Sequence, residues 1–292
     1  MSLRPSISSF ALKVAAIAGM TCNHVANVFA FALPGWATAL LCTFGGLTFP
    51  VMAFLLCEGY RHTSNVGRYA MRLAAFAVVA QVPYSLLWGA TANVLVTLLM
   101  GLGLLWADEH LRNRGLFALI VVAGVAASWF CDWGVIGPVM VLLFWKLRER
   151  PRGVALVMLV SLLAFGLPAL SLVADEYAAA ETPGASPAVE QLFGTTAPSA
   201  TAVEELAVES PNAVSKGLEV AGQTTAHPTF TVTDGAPLAA ALGTLGYATV
   251  GFGLAALLML KYNGRRGRPL KWFFYLYYPA HLLVLWGLAQ LL

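Results

Sequence analysis

The chain has 292 residues, 59% of them hydrophobic and only 11% charged, with a mean hydropathy of +0.75. Soluble domains carry about 25% charged residues, so this composition excludes an ordinary water-soluble enzyme and makes lipid the main solvent. The net charge of +3 is segregated along the chain and carries no signature of nucleic-acid binding.

Lipid admits only helices or closed barrels, because backbone polar groups must be satisfied without water. The apolar runs here are continuous and lack the ten-residue alternation of barrel strands. The expected fold is therefore all-α, a polytopic integral membrane bundle of about nine transmembrane helices. In chain order the runs cover residues 12–32, 38–57, 70–88, 92–107, 116–131, 134–147, 153–174, 237–260 and 272–291. Most approach the roughly 20 residues that cross a bilayer; the sixth is short enough to tilt or insert partially. Residues 1–174 thus hold spans one to seven and the expected catalytic core. Residues 237–292 hold spans eight and nine. Between them, 175–236 is rich in Ala, Thr, Pro, Ser and Glu, with nine acids and one lysine, and reads as a polar external loop.

Sixteen of the seventeen basic residues fall on one side of the bilayer if the nine spans alternate; only Lys216 falls on the other. By the positive-inside rule the N-terminus is cytoplasmic and the C-terminus external. The expected location is the bacterial inner membrane.

An ionisable residue inside a span costs at least a few kcal/mol (about 2.5 or more) and is a functional candidate by default. His24 lies eleven residues beyond Lys13, or about 16 Å at the helical rise. His281 lies ten beyond Lys271, or about 15 Å on a span running the same way. Two histidines at matched depth suit a common cavity, although a histidine in a span also serves as a plain interhelical hydrogen-bonder. Asn23 flanks His24, and Asn27 follows one turn later. At the end of span two, Glu58 and His62 share a helix face, with Arg61, Arg68 and Arg72 around them. Such a basic cluster is the ordinary positive-inside signature; its sharper reading is a cytoplasmic mouth for a phosphate-bearing donor. Asn93 opens span four, and Asp132 sits in an external turn. Tyr278 and Pro279 precede His281, and the proline frees a backbone carbonyl near the midplane. The four cysteines form no Cys-x-x-Cys pair and read as small hydrophobes. No ligand spacing points to a metal.

Several motifs carry a resemblance: Met20-Thr21-Cys22-Asn23-His24, Phe49-Pro50-Val51-Met52-Ala53-Phe54-Leu55-Leu56-Cys57-Glu58-Gly59 with His62-Thr63, Asn93-Val94-Leu95-Val96-Thr97-Leu98, Asp132-Trp133-Gly134, and Tyr278-Pro279-Ala280-His281-Leu282. Over roughly residues 11–150 and 265–290 the chain resembles the TraX family, whose founding member is linked to N-terminal acetylation of a conjugative pilin. Where that family typically has Asp before the first-span histidine, this chain has Asn23; the 175–236 loop has no counterpart.

The resemblance implies a membrane acetyltransferase that moves an acetyl group from cytoplasmic acetyl-coenzyme A to an external acceptor, the N-terminal amine of a pilin subunit. On that reading Lys13, Arg61, His62, Arg68 and Arg72 hold the donor's phosphates. His24 acts as base or transient acyl carrier, His281 as proton shuttle or oxyanion stabiliser, and Asn23 and Glu58 assist. Asn27, Asn93, Asp132 and Tyr278 complete the polar site. The expected partners are the bilayer, coenzyme A and the pilin. A non-catalytic pilus assembly factor and a proton-coupled transporter remain as alternatives.

Overall fold

The computed structural model describes residues 6–150, 152–180 and 244–291, and among them the protein is all-helical. In order these are α1 (Ser9–Val28), α2 (Gly35–Gly45), α3 (Thr48–His62), α4 (Val66–Trp88), α5 (Val94–His110), α6 (Arg114–Ala127), α7 (Ile136–Leu147) and α8 (Gly153–Ala180). After them come α9 (Phe252–Leu260), entered through a π-helical turn at Tyr247–Gly251, and α10 (Lys271–Ala289). No strand occurs among the described residues, only isolated bridges such as Ile7 to Tyr262 and Ala92 to Cys131. The predicted external loop lies outside the described residues from 181 onward; its first six residues continue α8.

Polar residues at the ends of apolar runs set the helix starts. Ser8 Oγ accepts from the Ala11 N–H, Asn65 Oδ1 from Arg68, Asn93 Oδ1 from Leu95, and Asn113 Oδ1 from Gly115 and Leu116. Each cap satisfies donors that a helix leaves orphaned in its first turn. A helix occupies each predicted apolar run as far as it is described. Two stretches, Gly35–His62 and Val66–Trp88, are long and apolar enough to cross a bilayer by length and composition, while Ile136–Leu147 and Thr244–Leu260 are among the shorter apolar helices. α4 turns Met71, Val78, Val82 and Leu86 outward, an apolar face that suits lipid better than water.

The second predicted span differs from its expectation. It is two helices, interrupted at Gly46 and Leu47. The interruption follows from close packing: a Cβ on Gly45 would meet Asn23 Cβ at 2.5 Å, and one on Gly251 would meet the Gly46 Cα at 2.6 Å. Only glycines let α1, α2 and the π-helical turn approach this closely. The break falls beside Asn23, so it shapes the interior around the first-span polar residues.

α1 packs on α2, α3 and α10; α4 packs on α10 and α5; α7 packs on α5, α3 and α8. At the end carrying the basic residues, Asp108 accepts from Lys146, from Arg114 (3.2 Å) and from Trp145 Nε1 (3.2 Å), tying α5, α6 and α7 together. Asp108 lies beyond the apolar span. Burial works against its charge, but the Lys146 and Trp145 hydrogen bonds hold its carboxyl below the ordinary value.

Candidate functional site

One cavity of about 450 Å³ runs through the bundle between α1, α3, α4, α5 and α10. Its two ends have opposite character. At the basic end it is lined by Lys13, His62, Arg72, Arg266 and Arg268. At the inner end it is lined by Asn23, His24, Asp132, Trp133, Tyr247 and Tyr278. From Lys13 to His24 along α1 is about 16 Å of helix.

His24 and His281 meet there. His24 Nδ1 and His281 Nε2 are 2.8 Å apart, with ring planes 6° from parallel. His281 Nδ1 lies 3.0 Å from the Tyr277 carbonyl oxygen. A carbonyl only accepts, so His281 Nδ1 carries the proton. For two neutral rings, His281 Nε2 is then the acceptor and His24 Nδ1 the donor, which leaves the lone pair of His24 on Nε2. This tautomer is assigned from the hydrogen-bond network. His24 is on the cavity wall and His281 is not, so His24 carries the basic nitrogen and His281 fixes its tautomer. A second bond reinforces the α1–α10 contact: Thr21 Oγ1 donates to the Ile17 carbonyl (2.9 Å) and accepts from Tyr277 Oη (2.7 Å). Trp88 packs over His24 at 4.9 Å between ring centroids.

Buried polar atoms in folded proteins almost always have a partner. Among the described residues, the buried side-chain atoms without one are Asn23 Oδ1, Asp132 Oδ1, Tyr278 Oη and Arg72 Nε. All four residues line this cavity. Their convergence marks it as a place for a polar ligand, with a donor toward the basic end and mostly acceptors at the inner end.

The inner end is held rigidly. The Asp132 N–H donates to the Ala92 carbonyl (2.7 Å), and the Asp132 carbonyl accepts from Thr97 Oγ1. Trp133 follows with φ of 69°, a left-handed conformation costly for a bulky residue. Its ring stacks on Phe49 at 4.2 Å. Asn93 serves this scaffold and does not line the cavity. Its side chain donates to the Ala77 carbonyl and to Gln81 Oε1, both at 2.8 Å, cross-linking α4 to the start of α5. Asn27 likewise donates to the Asn23 carbonyl within α1 (2.8 Å).

Of the other residues singled out in the sequence, Lys13, His62 and Arg72 share the histidines' cavity, whereas Glu58, Arg61 and Arg68 do not. Glu58 pairs with Arg61 at 2.9 Å and lies 3.8 Å from His62. Arg61 lines a separate hollow with Tyr60, Glu109 and Arg148. Arg68 is exposed, and its N–H takes the Asn65 cap. In their place stand Arg266 and Arg268, which the sequence presents only as part of a basic run. The loop bearing them folds back onto the start of α1: Ser9 and Phe10 donate to the carbonyls of Arg265 (2.9 Å) and Arg266 (3.1 Å). Gly267, with φ of 71°, makes that approach possible, since a Cβ there would meet Ser8 Oγ at 2.7 Å.

The TraX protein family model matches residues 8–193 and 223–289, which is most of the chain. The chain belongs to the TraX family. Within this family frame, the Asn23-His24, Asp132-Trp133-Gly134 and Tyr278-Pro279-Ala280-His281 motifs all border or support one cavity. The chain is also 34% identical over 148 residues to the probable fimbrial assembly protein FimC, serogroup H1, of Dichelobacter nodosus; the match covers 46% of this chain and 60% of that protein. No solved structure matches the chain.

Proposed function

We propose that this TraX-family chain is an acetyltransferase of the bacterial inner membrane that serves pilus assembly. It crosses the bilayer nine times with its basic end in the cytoplasm. It transfers acetyl from acetyl-coenzyme A to the N-terminal amine of a pilin subunit. The observation that carries the reading is the single cavity joining Lys13, Arg72, Arg266 and Arg268 to the cavity-facing histidine. The similarity to a fimbrial assembly protein of Dichelobacter nodosus supports the pilus setting.

Cationic side chains at the mouth suit the phosphates of coenzyme A, and the cavity behind them admits the thioester arm toward His24. The acceptor amine, entering from the other side, attacks the thioester carbonyl. As the C–N bond forms and the C–S bond breaks, His24 Nε2 takes the amine proton and returns it to the departing sulfur. His281 Nε2 holds the His24 Nδ1–H throughout, the role an orienting group plays for any catalytic imidazole. A mid-depth base suits a donor and an acceptor that arrive from different compartments.

The test is release of coenzyme A from acetyl-coenzyme A by detergent-purified protein. His24→Ala is expected to lower it by about 10²- to 10⁴-fold, the usual worth of a general base. Absence of acetyl-coenzyme A binding and release by folded wild-type protein would refute the enzyme reading. A non-catalytic assembly factor, which the relative's name also fits, would then stand.

A further inference from the structure

The cavity's inner end holds a buried carboxyl group that no cation among the described residues pairs with, and burial pushes its pKa up to about 7. Asp132 is 3% exposed, its Oδ1 has no hydrogen-bond partner, and no ion pair to it occurs among the described residues. It is also the one acid among the residues lining the cavity. The lining cations, Lys13, Arg72, Arg266 and Arg268, belong to the start of α1, the start of α4 and the loop before α10. That is the opposite end from Asp132, which sits just before α7. A buried carboxylate left unpaired is costly, so the group takes up a proton unless a cation completes the site. The Trp133, Tyr247 and Tyr278 rings line the same end, and aromatic rings favour a desolvated cation. Asn23 Oδ1, a second acceptor without a donor, lines the same cavity.

We propose that the inner end of the cavity is a binding site for a primary ammonium group, with Asp132 as counter-ion, Asn23 Oδ1 as a second acceptor and Trp133, Tyr247 and Tyr278 as its aromatic wall. The site makes Asp132 the residue that selects an amine over a hydroxyl acceptor. Before the attack Asp132 takes one proton from the ammonium to leave the neutral amine, whose next proton passes through His24 to the departing sulfur. It rests on the acyltransferase reading for its purpose, but the binding itself needs no acyl transfer. A hydroxyl compound of the same shape offers no charge to Asp132 and leaves that carboxylate uncompensated.

Alanine methyl ester and methyl lactate differ in carrying an ammonium or a hydroxyl on the same skeleton. Their binding to the detergent-purified full chain is compared by saturation-transfer NMR, with coenzyme A binding measured in parallel. Wild type is expected to bind the ester with the ammonium at least tenfold better. Asp132→Asn is expected to erase that preference, Asp132→Glu to restore part of it, and both to keep coenzyme A affinity within about twofold. Equal binding of the two esters, or a preference that survives Asp132→Asn, overturns the proposal. Asp132-dependent ammonium binding without any coenzyme A release would sustain this site while refuting acyl transfer. Coenzyme A release without ammonium preference would do the reverse.

Discussion

Replacing His281 by Leu tests the link between tertiary structure and chemistry most directly. The substitution removes the 2.8 Å bond from His24 Nδ1 and the 3.0 Å bond to the Tyr277 carbonyl. The first bond is worth about 0.5–1.5 kcal/mol net, and a buried donor left without a partner costs about 1–3 kcal/mol. Together they favour the Nδ1–H tautomer of His24 by roughly 2–4 kcal/mol, more than tenfold at 1.4 kcal/mol per decade. With leucine at 281 that preference is lost, and the fraction of His24 presenting a bare Nε2 to the cavity falls. The tautomer mixture by itself costs only a few-fold. His281→Leu also removes the acceptor that stabilises the His24 imidazolium as it forms, a charged bond worth about 1.5–3 kcal/mol. Coenzyme A release is therefore expected to drop about 10- to 100-fold, less than the loss from removing the base itself. Nitrogen-15 NMR of histidine-labelled protein reads the tautomer independently of activity. Wild-type His24 should carry its proton on Nδ1, and the His281→Leu protein should show a mixture. A wild-type His24 protonated on Nε2, or full activity in folded His281→Leu protein, would refute the assignment.

Arg72→Ala and Arg266→Ala should each raise the KM for acetyl-coenzyme A by about tenfold or more, from the loss of one charge-assisted bond worth about 1.5–3 kcal/mol; Glu58→Gln, altering a pair off the cavity, should change release less than threefold. Gly45→Ala should destabilise the fold by about 1–3 kcal/mol, because the added methyl overlaps Asn23, and thermal unfolding in detergent reads this directly. Asp108, whose carboxyl is held below its ordinary value of 3.8, contributes stability that is present above that value and lost as pH falls through the lower folded one. Asp108→Asn should thus be less stable than wild type near neutrality, with the difference closing below about pH 4; a constant gap across pH would contradict the ion-pair account.

Composition alone pointed to lipid as the solvent, because few charges over 292 residues cannot sustain a soluble surface, and the continuous apolar runs then left helices over a barrel. Helix positions were legible from the apolar runs and their Ser and Asn caps, since both are local properties of the chain. The matched depth of His24 and His281 was legible too, because helical rise converts a residue count into a distance. Whether those helices lie side by side was not, and only packing of α1 on α10 brings the two nitrogens to 2.8 Å. The same holds for the mouth. Arg61 and Arg68 look equivalent to Arg72 along the sequence, yet only Arg72 turns into the cavity. Arg266 and Arg268 reach it because a glycine-bearing loop folds back across more than 250 residues of sequence to the start of α1. The break at Gly46 has a local signal in the Gly45-Gly46 pair, but the close approach of Asn23 and Gly251 that it permits comes only from three segments meeting. Local pattern determines which residues a helix carries; which of them face one another depends on long-range packing, where small residues permit close approach and buried polar atoms converge on a shared space.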